Sequence, residues 1–327
     1  MNGKKRYSSP LLAKKPRGMV LIIALWSLFF LGALALAIAA YVRPQLELAG
    51  RIKNSTTVRF LAEAGVKRAI AQIDKAQGSN VDTLKEFTPS ASFDFMSQGL
   101  ADGSFNYELV DEERKININT APLKDLERLF EIVAQVNSQQ AEDIAAAILD
   151  WRQSGENTRK NGAKSNYYQT LSPSYPCKDG PFEVLEEILL VKGITIDIFK
   201  SIQDEITIYG AGSVNINTAD KPVLETLGMS DTLADKIISF RNGNDGVPAT
   251  NDDNIFTDQG NIVKALQSVQ KLTQQDINQL TNLIGEGMFV VQSDNFKGKS
   301  YGKTSRDSMT VDFVFARGGS IKFWREE

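Results

Sequence analysis

Two residue counts bound the chemistry open to this chain. Among its 327 residues there is no histidine and one cysteine, Cys177. Without histidine there is no Ser–His or Cys–His nucleophile pair, no imidazole base and no His-containing zinc site. A single thiol closes no intrachain disulfide and builds no Cys-cluster metal site, and Cys177 has no histidine to activate it. An enzyme would then need paired carboxylates or a Ser–Lys dyad, and no segment places such residues together. The expectation is a protein that is not an enzyme and requires no cofactor. One loop is rich in oxygen ligands: Asn244-Asp245-Gly246, then Asn251-Asp252-Asp253-Asn254, with Asp258 after it. Calcium takes about 6–8 oxygens, so Asp245, Asp252 and Asp253 are candidate calcium ligands. Their spacing departs from the EF-hand loop, and a solvated acidic loop is the plainer alternative.

Polyanion binding has one candidate, the hairpin Leu190-Val191-Lys192-Gly193-Ile194. It offers a glycine and one adjacent lysine with no basic stripe behind them. Phosphate contacts dominate such binding, and the chain has net charge −3 and a pI near 5.4. Nucleic acid is therefore not an expected partner, and a helical packing module is the favoured reading of this segment.

The elements that must carry these residues begin with an apolar run. Residues 19–42 contain no charged side chain, and as a helix they reach about 36 Å, enough to cross a ~30 Å hydrocarbon core. Lys4, Lys5, Arg6, Lys14, Lys15 and Arg17 precede the run, so the positive-inside rule puts the short tail in the cytoplasm. The C-terminal part is then expected in the periplasm of a cell with two membranes. A cleaved secretory signal ending at Ala37-x-Ala39 is the alternative, but signal-peptide cores are about 7–15 residues long. Beyond Pro44 a helical pattern continues to about residue 76. Val58, Ala62, Gly65, Ala69 and Ile73 form one face between charged positions, and this face is expected to pack against partner helices.

The body of the chain repeats itself. Ile116-Asn117-Ile118-Asn119-Thr120-Ala121 recurs 98 residues later as Val214-Asn215-Ile216-Asn217-Thr218-Ala219. The Asn and Thr oxygens, or Asp220, are expected to cap helices whose first turns accept Pro122 and Pro222. Ile148-Leu149-Asp150-Trp151-Arg152 answers to Ile237-Ile238-Ser239-Phe240-Arg241, now 89 residues apart, so the first copy holds about nine extra residues between its helices. Apolar helical segments follow at 182–191 and 256–266. This is an internal duplication of a helix-turn-helix unit resembling the helix-hairpin-helix. Strand-like segments flank it at 104–110, 288–292, 309–316 and 320–324.

Several of these motifs resemble the type II secretion protein K family. They are the doubled Asn-x-Asn-Thr-Ala, Asp150-Trp151, Tyr167-Tyr168, Gly180-Pro181-Phe182 with Leu185-Glu186-Glu187, and Val191-x-Gly193-Ile194. The junction Lys14-Lys15-Pro16-Arg17-Gly18 before Met19 resembles a prepilin-peptidase site, which implies cleavage after Gly18 and N-methylation of Met19. Most pilin-like proteins carry a glutamate at the fifth mature position. Here that position is Ile23, and the missing glutamate is typical of this family's large minor pseudopilin.

The resemblance implies an α+β fold with a long N-terminal transmembrane helix. A small pseudopilin α/β domain would carry a large inserted α-helical domain with duplicated helix-hairpin-helix-like units. The boundaries follow as leader 1–18, transmembrane segment 19–42, first part of the pseudopilin domain 43–118, insertion 119–286 and closing strands 287–327. The implied function is a minor pseudopilin at the pseudopilus tip that helps initiate assembly for protein export. A pilus or competence protein whose hairpins bind DNA is the alternative. Implied partners are minor pseudopilins I and J, other pseudopilins, the prepilin peptidase and the inner-membrane assembly platform. The implied place is a single pass through the bacterial inner membrane. Family members often carry extra carboxylates after the Asp-Trp pair and before the Tyr-Tyr pair, which suit calcium. Asp150, Glu156 and Asp179 remain as candidates here, but Arg152 and Lys164 put positive charge into the same stretches.

Overall fold

The computed structural model describes residues 17–75, 80–87, 98–100, 103–155 and 157–327. The leader up to residue 16 and Glu156 lie outside the described residues. The chain divides into two compact units, Met1–Thr56 and Thr57–Glu327. Helix α1, Arg17–Lys75, contributes to both and contains Pro44, which removes one donor from the i→i−4 ladder. Among the described residues it is the one helix long and apolar enough to cross a membrane, with mean hydropathy 2.6 over its best window. In the first unit its apolar side chains are exposed all round, Leu21, Ile23, Trp26, Phe29 and Leu36 among them. A helix apolar on every side is a membrane or helix-bundle element, not a surface helix.

The second unit continues with α2 (Leu84–Phe87), β1 (Gln98–Leu100) and β2 (Gly103–Asp111). The chain then leaves the sheet. A first run holds β3 (Ile116–Asn117), α3 (Leu123–Ile132), α4 (Ser138–Arg152), α5 (Ser165–Tyr168), a 3-10 helix (Leu185–Leu190), α6 (Ile196–Ile202) and β4 (Ile206–Thr207). A second holds β5 (Val214–Asn215), α7 (Lys221–Thr226), α8 (Asp231–Arg241), α9 (Ile262–Val269), α10 (Gln274–Gly285) and β6 (Phe289–Val290). Finally β7 (Asn295–Thr304), β8 (Ser308–Ala316) and β9 (Ile321–Glu326) return to the sheet. The strand order is β1-β2-β7-β8-β9, every pair antiparallel, so the helical excursion lies between two neighbouring strands.

The periodic face of α1 has a different role from the one its spacing predicts. Val58, Ala62, Gly65, Ala69 and Ile73 are all buried. Ala62, Ala69 and Ile73 share a core with Tyr107, Leu109, Phe296, Val311, Phe313 and Phe315 of the chain's own sheet. The stripe is thus consumed within the molecule and is not a surface for partner helices. Helical periodicity records that a face is buried, not what buries it. The approach is close: Ser300 Oγ donates to the Ala62 carbonyl at 2.7 Å. A Cβ at Gly302 would collide with the Val58 carbonyl oxygen and stand 2.6 Å from the Ala62 nitrogen. Because both obstacles are backbone, Gly302→Val should destabilise the fold by about 3 kcal/mol. Urea unfolding in detergent measures this, and a loss below about 1 kcal/mol would mean α1 can move away from β7.

The duplication is visible as two units, each closed by a two-residue parallel pair. β3 pairs with β4 through Ile116↔Ile206, and β5 with β6 through Val214↔Phe289. Both contribute to one apolar core that runs from Ile116 to Phe289. The nine extra residues of the first copy are spread across both helices. Against the 6 residues of α7 and 11 of α8 stand 10 in α3 and 15 in α4, and the connecting loop is one residue longer. Two strand expectations are corrected. Within 288–292, Phe289 and Val290 pair with the second repeat and not with the five-stranded sheet. The longest strand, β7, went unread because its inner positions after Phe296 are Gly298, Ser300 and Gly302, small residues that admit α1 and carry no apolar alternation. The segments at 182–191 and 256–266 contain the expected turns of helix only from Leu185 and from Gln259; the first is 3-10, and the second opens with a 3-10 turn before the α-helix from Ile262.

Candidate functional site

The repeated Asn-x-Asn-Thr-Ala motif builds the same polar pin twice. In the first unit Asn119 N donates to Asn117 Oδ1, while Asn119 Nδ2 donates to the Phe182 carbonyl and Phe182 N donates back to Asn119 Oδ1. In the second, Asn217 N donates to Asn215 Oδ1, and Asn217 exchanges the same two bonds with Phe256 at 2.9 Å each. Arg152 and Arg241 complete the copies. Arg152 donates to the carbonyls of Ile118 and Ala121, Arg241 to those of Ile216 and Ala219. Burial pulls both guanidinium groups down to about 10, so both remain charged at neutral pH. The expected caps do not form. Pro122 and Asp220 stand at the N-caps of α3 and α7 with no side-chain cap bond, and Asp220 instead ion-pairs with Arg114. The motif ties loops to helices.

Three consecutive acids at the end of β2 join the sheet to both repeats. Asp111 Oδ2 accepts from Asn215 Nδ2, Thr218 Oγ1 and Ser293 Oγ at 3.1, 2.6 and 2.8 Å. Glu112 pairs with Lys115 at 2.7 Å and accepts from Thr207 Oγ1 of β4. Glu113 accepts from both nitrogens of Asn295 at the start of β7. Burial pushes Asp111 up to about 6 and Glu113 up to about 7, against the donors that favour their charged forms. None of these roles is readable from residue spacing. The register of the two repeats already matches Arg152 with Arg241, but nothing in sequence marks Asp111.

The candidate calcium ligands are scattered or already engaged. Asp150 is fully buried, with Arg159 Nη1 2.7 Å from one oxygen and Arg159 N 3.0 Å from the other. Asp179 takes the Lys164 ammonium at 2.5 Å. In the second loop Asp252 Oδ2 accepts from Asn244 N and Asp245 N, Asp253 Oδ2 from Ala249 N, and Asp245 Oδ1 from Val247 N. The Thr250 hydroxyl, which donates to Asp252 Oδ1, and then the Asp245 and Asn244 amides hold Asp252 down at about 2. No group of three or more His, Cys, Asp or Glu side chains among the described residues is placed to hold a metal. Asp150 and Asp179 do not fit a divalent cation, because each already has a cationic partner from the chain itself.

The hairpin lysine is also turned inward. Lys192 Nζ donates to the carbonyls of Asn161 and Gly162 at 3.1 and 3.4 Å and lies 5.2 Å from the Tyr167 ring centre. Gly193 adopts φ +88°, and a Cβ there would press on Ile144 at 2.8 Å. This turn packs against α4, which supports a packing role for it.

The chain thus combines an apolar helix of membrane length, an antiparallel sheet and a helical excursion held by internal pins. The family model for protein K of the type II secretion system matches residues 103–211. That match spans about a third of the chain. Its fold is similar to a chain in the crystal structure of the GspK–GspI–GspJ complex from the type 2 secretion system of enterotoxigenic Escherichia coli. The TM-score is 0.63 at 16% identity, covering 88% of this chain and 99% of that one. No curated protein matches the sequence.

Proposed function

We propose that this chain is a minor pseudopilin that caps the periplasmic pseudopilus of a type II secretion system and helps start its assembly, acting mechanically and not as an enzyme. The observation that carries this reading is the apolar surface of the first unit. Its large apolar side chains, from Met19 through Leu48, are exposed. Lipid covers such a surface before assembly, and partner helices cover it afterwards. The stripe from Val58 to Ile73 faces inward, so the helix of the first unit supplies the packing affinity. Ile23 lacks the carboxylate that would need a partner within the membrane, which fits a subunit with no other ahead of it. Basic residues before Met19 orient the tail to the cytoplasm and the second unit to the periplasm of an inner-membrane protein. Pseudopilins of the I and J type are the proposed partners, since the similar structure is a complex of that composition. Other pseudopilins and the inner-membrane assembly platform complete the proposed machinery.

The test is intact-mass analysis from cells with and without the prepilin peptidase, followed by pull-down with I-type and J-type partners. The expected mature form starts at N-methylated Met19 only when the peptidase is present, and it retains both partners. A terminus after Ala39, or an uncut chain in both strains, would overturn the pseudopilin reading. A correctly cut chain that retains neither partner would overturn the tip assignment alone.

A further inference from the structure

Lys164 sits where three separate segments meet, and its surroundings resemble the coordination shell of a cation. Its ammonium donates to the Gln153 carbonyl, at the C-cap of α4, and to Asp179 Oδ1, both at 2.5 Å. A backbone carbonyl and a carboxylate are the ligand types that calcium takes. The Lys164 side chain is only 7% exposed, so water does not fill this role. Asp179 adopts φ +53°, a left-handed conformation that aspartate enters more readily than most residues. Beside it, Arg159 neutralises Asp150 and also reaches Gln153 Oε1. Gly162 allows this closeness, because a Cβ there would overlap Asp150 Oδ2.

We propose that the Lys164 ammonium is a built-in cation that holds the 150–180 segment closed, so that this segment takes its fold without a divalent metal. Two internal positive charges stand against the two carboxylates that a metal would need. A divalent ion entering between them would meet repulsion from both and would have to compete with an ion pair at each carboxylate. The carbonyl of Gln153 is also one of the orphan groups at a helix C-terminus, where a lysine is favoured. Beneath the closed segment Trp151, Tyr168 and Tyr175 pack edge-to-face and stacked, so loss of the pin should loosen a local aromatic core.

The experiment is hydrogen–deuterium exchange of the full chain in detergent micelles, read by mass spectrometry, in EDTA and in millimolar calcium chloride. This readout is local and separates residues 150–180 from the acidic 244–254 loop. The wild-type 150–180 peptides should exchange equally in both buffers. Lys164→Met, which keeps the stem and removes the charge, should speed exchange there by about tenfold or more in EDTA, while β7 and β8 peptides stay unchanged. Slower exchange of the wild-type 150–180 peptides in calcium would overturn the proposal, as would a Lys164→Met chain with unaltered exchange. If that variant does not fold, the wild-type comparison still decides.

Discussion

Replacing Asn217 with alanine should lower the unfolding free energy by about 3–5 kcal/mol, and the same change at Asn119 by about 1–2 kcal/mol. The two side chains make the same pair of bonds, one to the carbonyl and one from the amide of a buried phenylalanine. They differ in access to water. Asn217 is 3% exposed and its bonds are buried, whereas Asn119 is half-buried and its bonds are partly so. Alanine at 217 strands the Phe256 amide and carbonyl where no solvent replaces the lost partner, and an unsatisfied buried group costs about 1–3 kcal/mol. It also frees the Phe256 ring, which stacks on Phe240 at 4.6 Å. At 119 water can reach the stranded groups. Urea unfolding of both variants in the same detergent measures the gap. Equal losses would show that the bonds, not their burial, set the cost.

The pins explain what could be read in advance and what could not. The doubled motif was legible because identical short strings 98 residues apart are rare, and the structure gives Asn119 and Asn217 the same pair of bonds to a phenylalanine backbone. Their role was not, since Asn and Thr before a helix usually read as caps, and here the same atoms bridge to loops some 40 to 60 residues away. The apolar run and the periodic face of α1 were equally plain as patterns. Periodicity could not say that Val58 to Ile73 face the chain's own sheet, because the strand they meet, β7, hides behind glycine, serine and lysine. The cations at 159 and 164 show the same limit. Charge in the wrong place for a metal was visible at Lys164, but only the fold brings Arg159 back onto Asp150.

Stability should fall as pH rises from about 4 to about 7, and Asp111 and Glu113 should carry most of the fall. Burial raises Asp111 to about 6 and Glu113 to about 7, and the proximity of Asp111 adds to the rise at Glu113. For a carboxyl whose folded value lies above its unfolded one, the folded chain holds the extra proton across that window. Stability is then highest below the unfolded value and is lost as pH climbs through the folded one. Each shift corresponds to about 3 kcal/mol, so the pair contributes on the order of 5 kcal/mol between pH 4 and pH 8. Asp125, raised to about 6 by burial, acts in the same direction. Asp231, Asp252 and Asp276 are lowered, so their contribution is lost only as pH drops below about 4, outside the window. Because Asp111 faces Asn215, Thr218 and Ser293, charging it without a cation strains the joint between sheet and second repeat. Asp111→Asn removes the charge and keeps an acceptor, and the hydroxyls of Thr218 and Ser293 can turn to accept from the new amide. Melting temperature followed from pH 4.5 to 8 should decline in the wild type and decline less steeply in Asp111→Asn. A wild-type melting temperature that climbs between pH 5 and pH 7 would mean these acids are charged and stabilised in the fold.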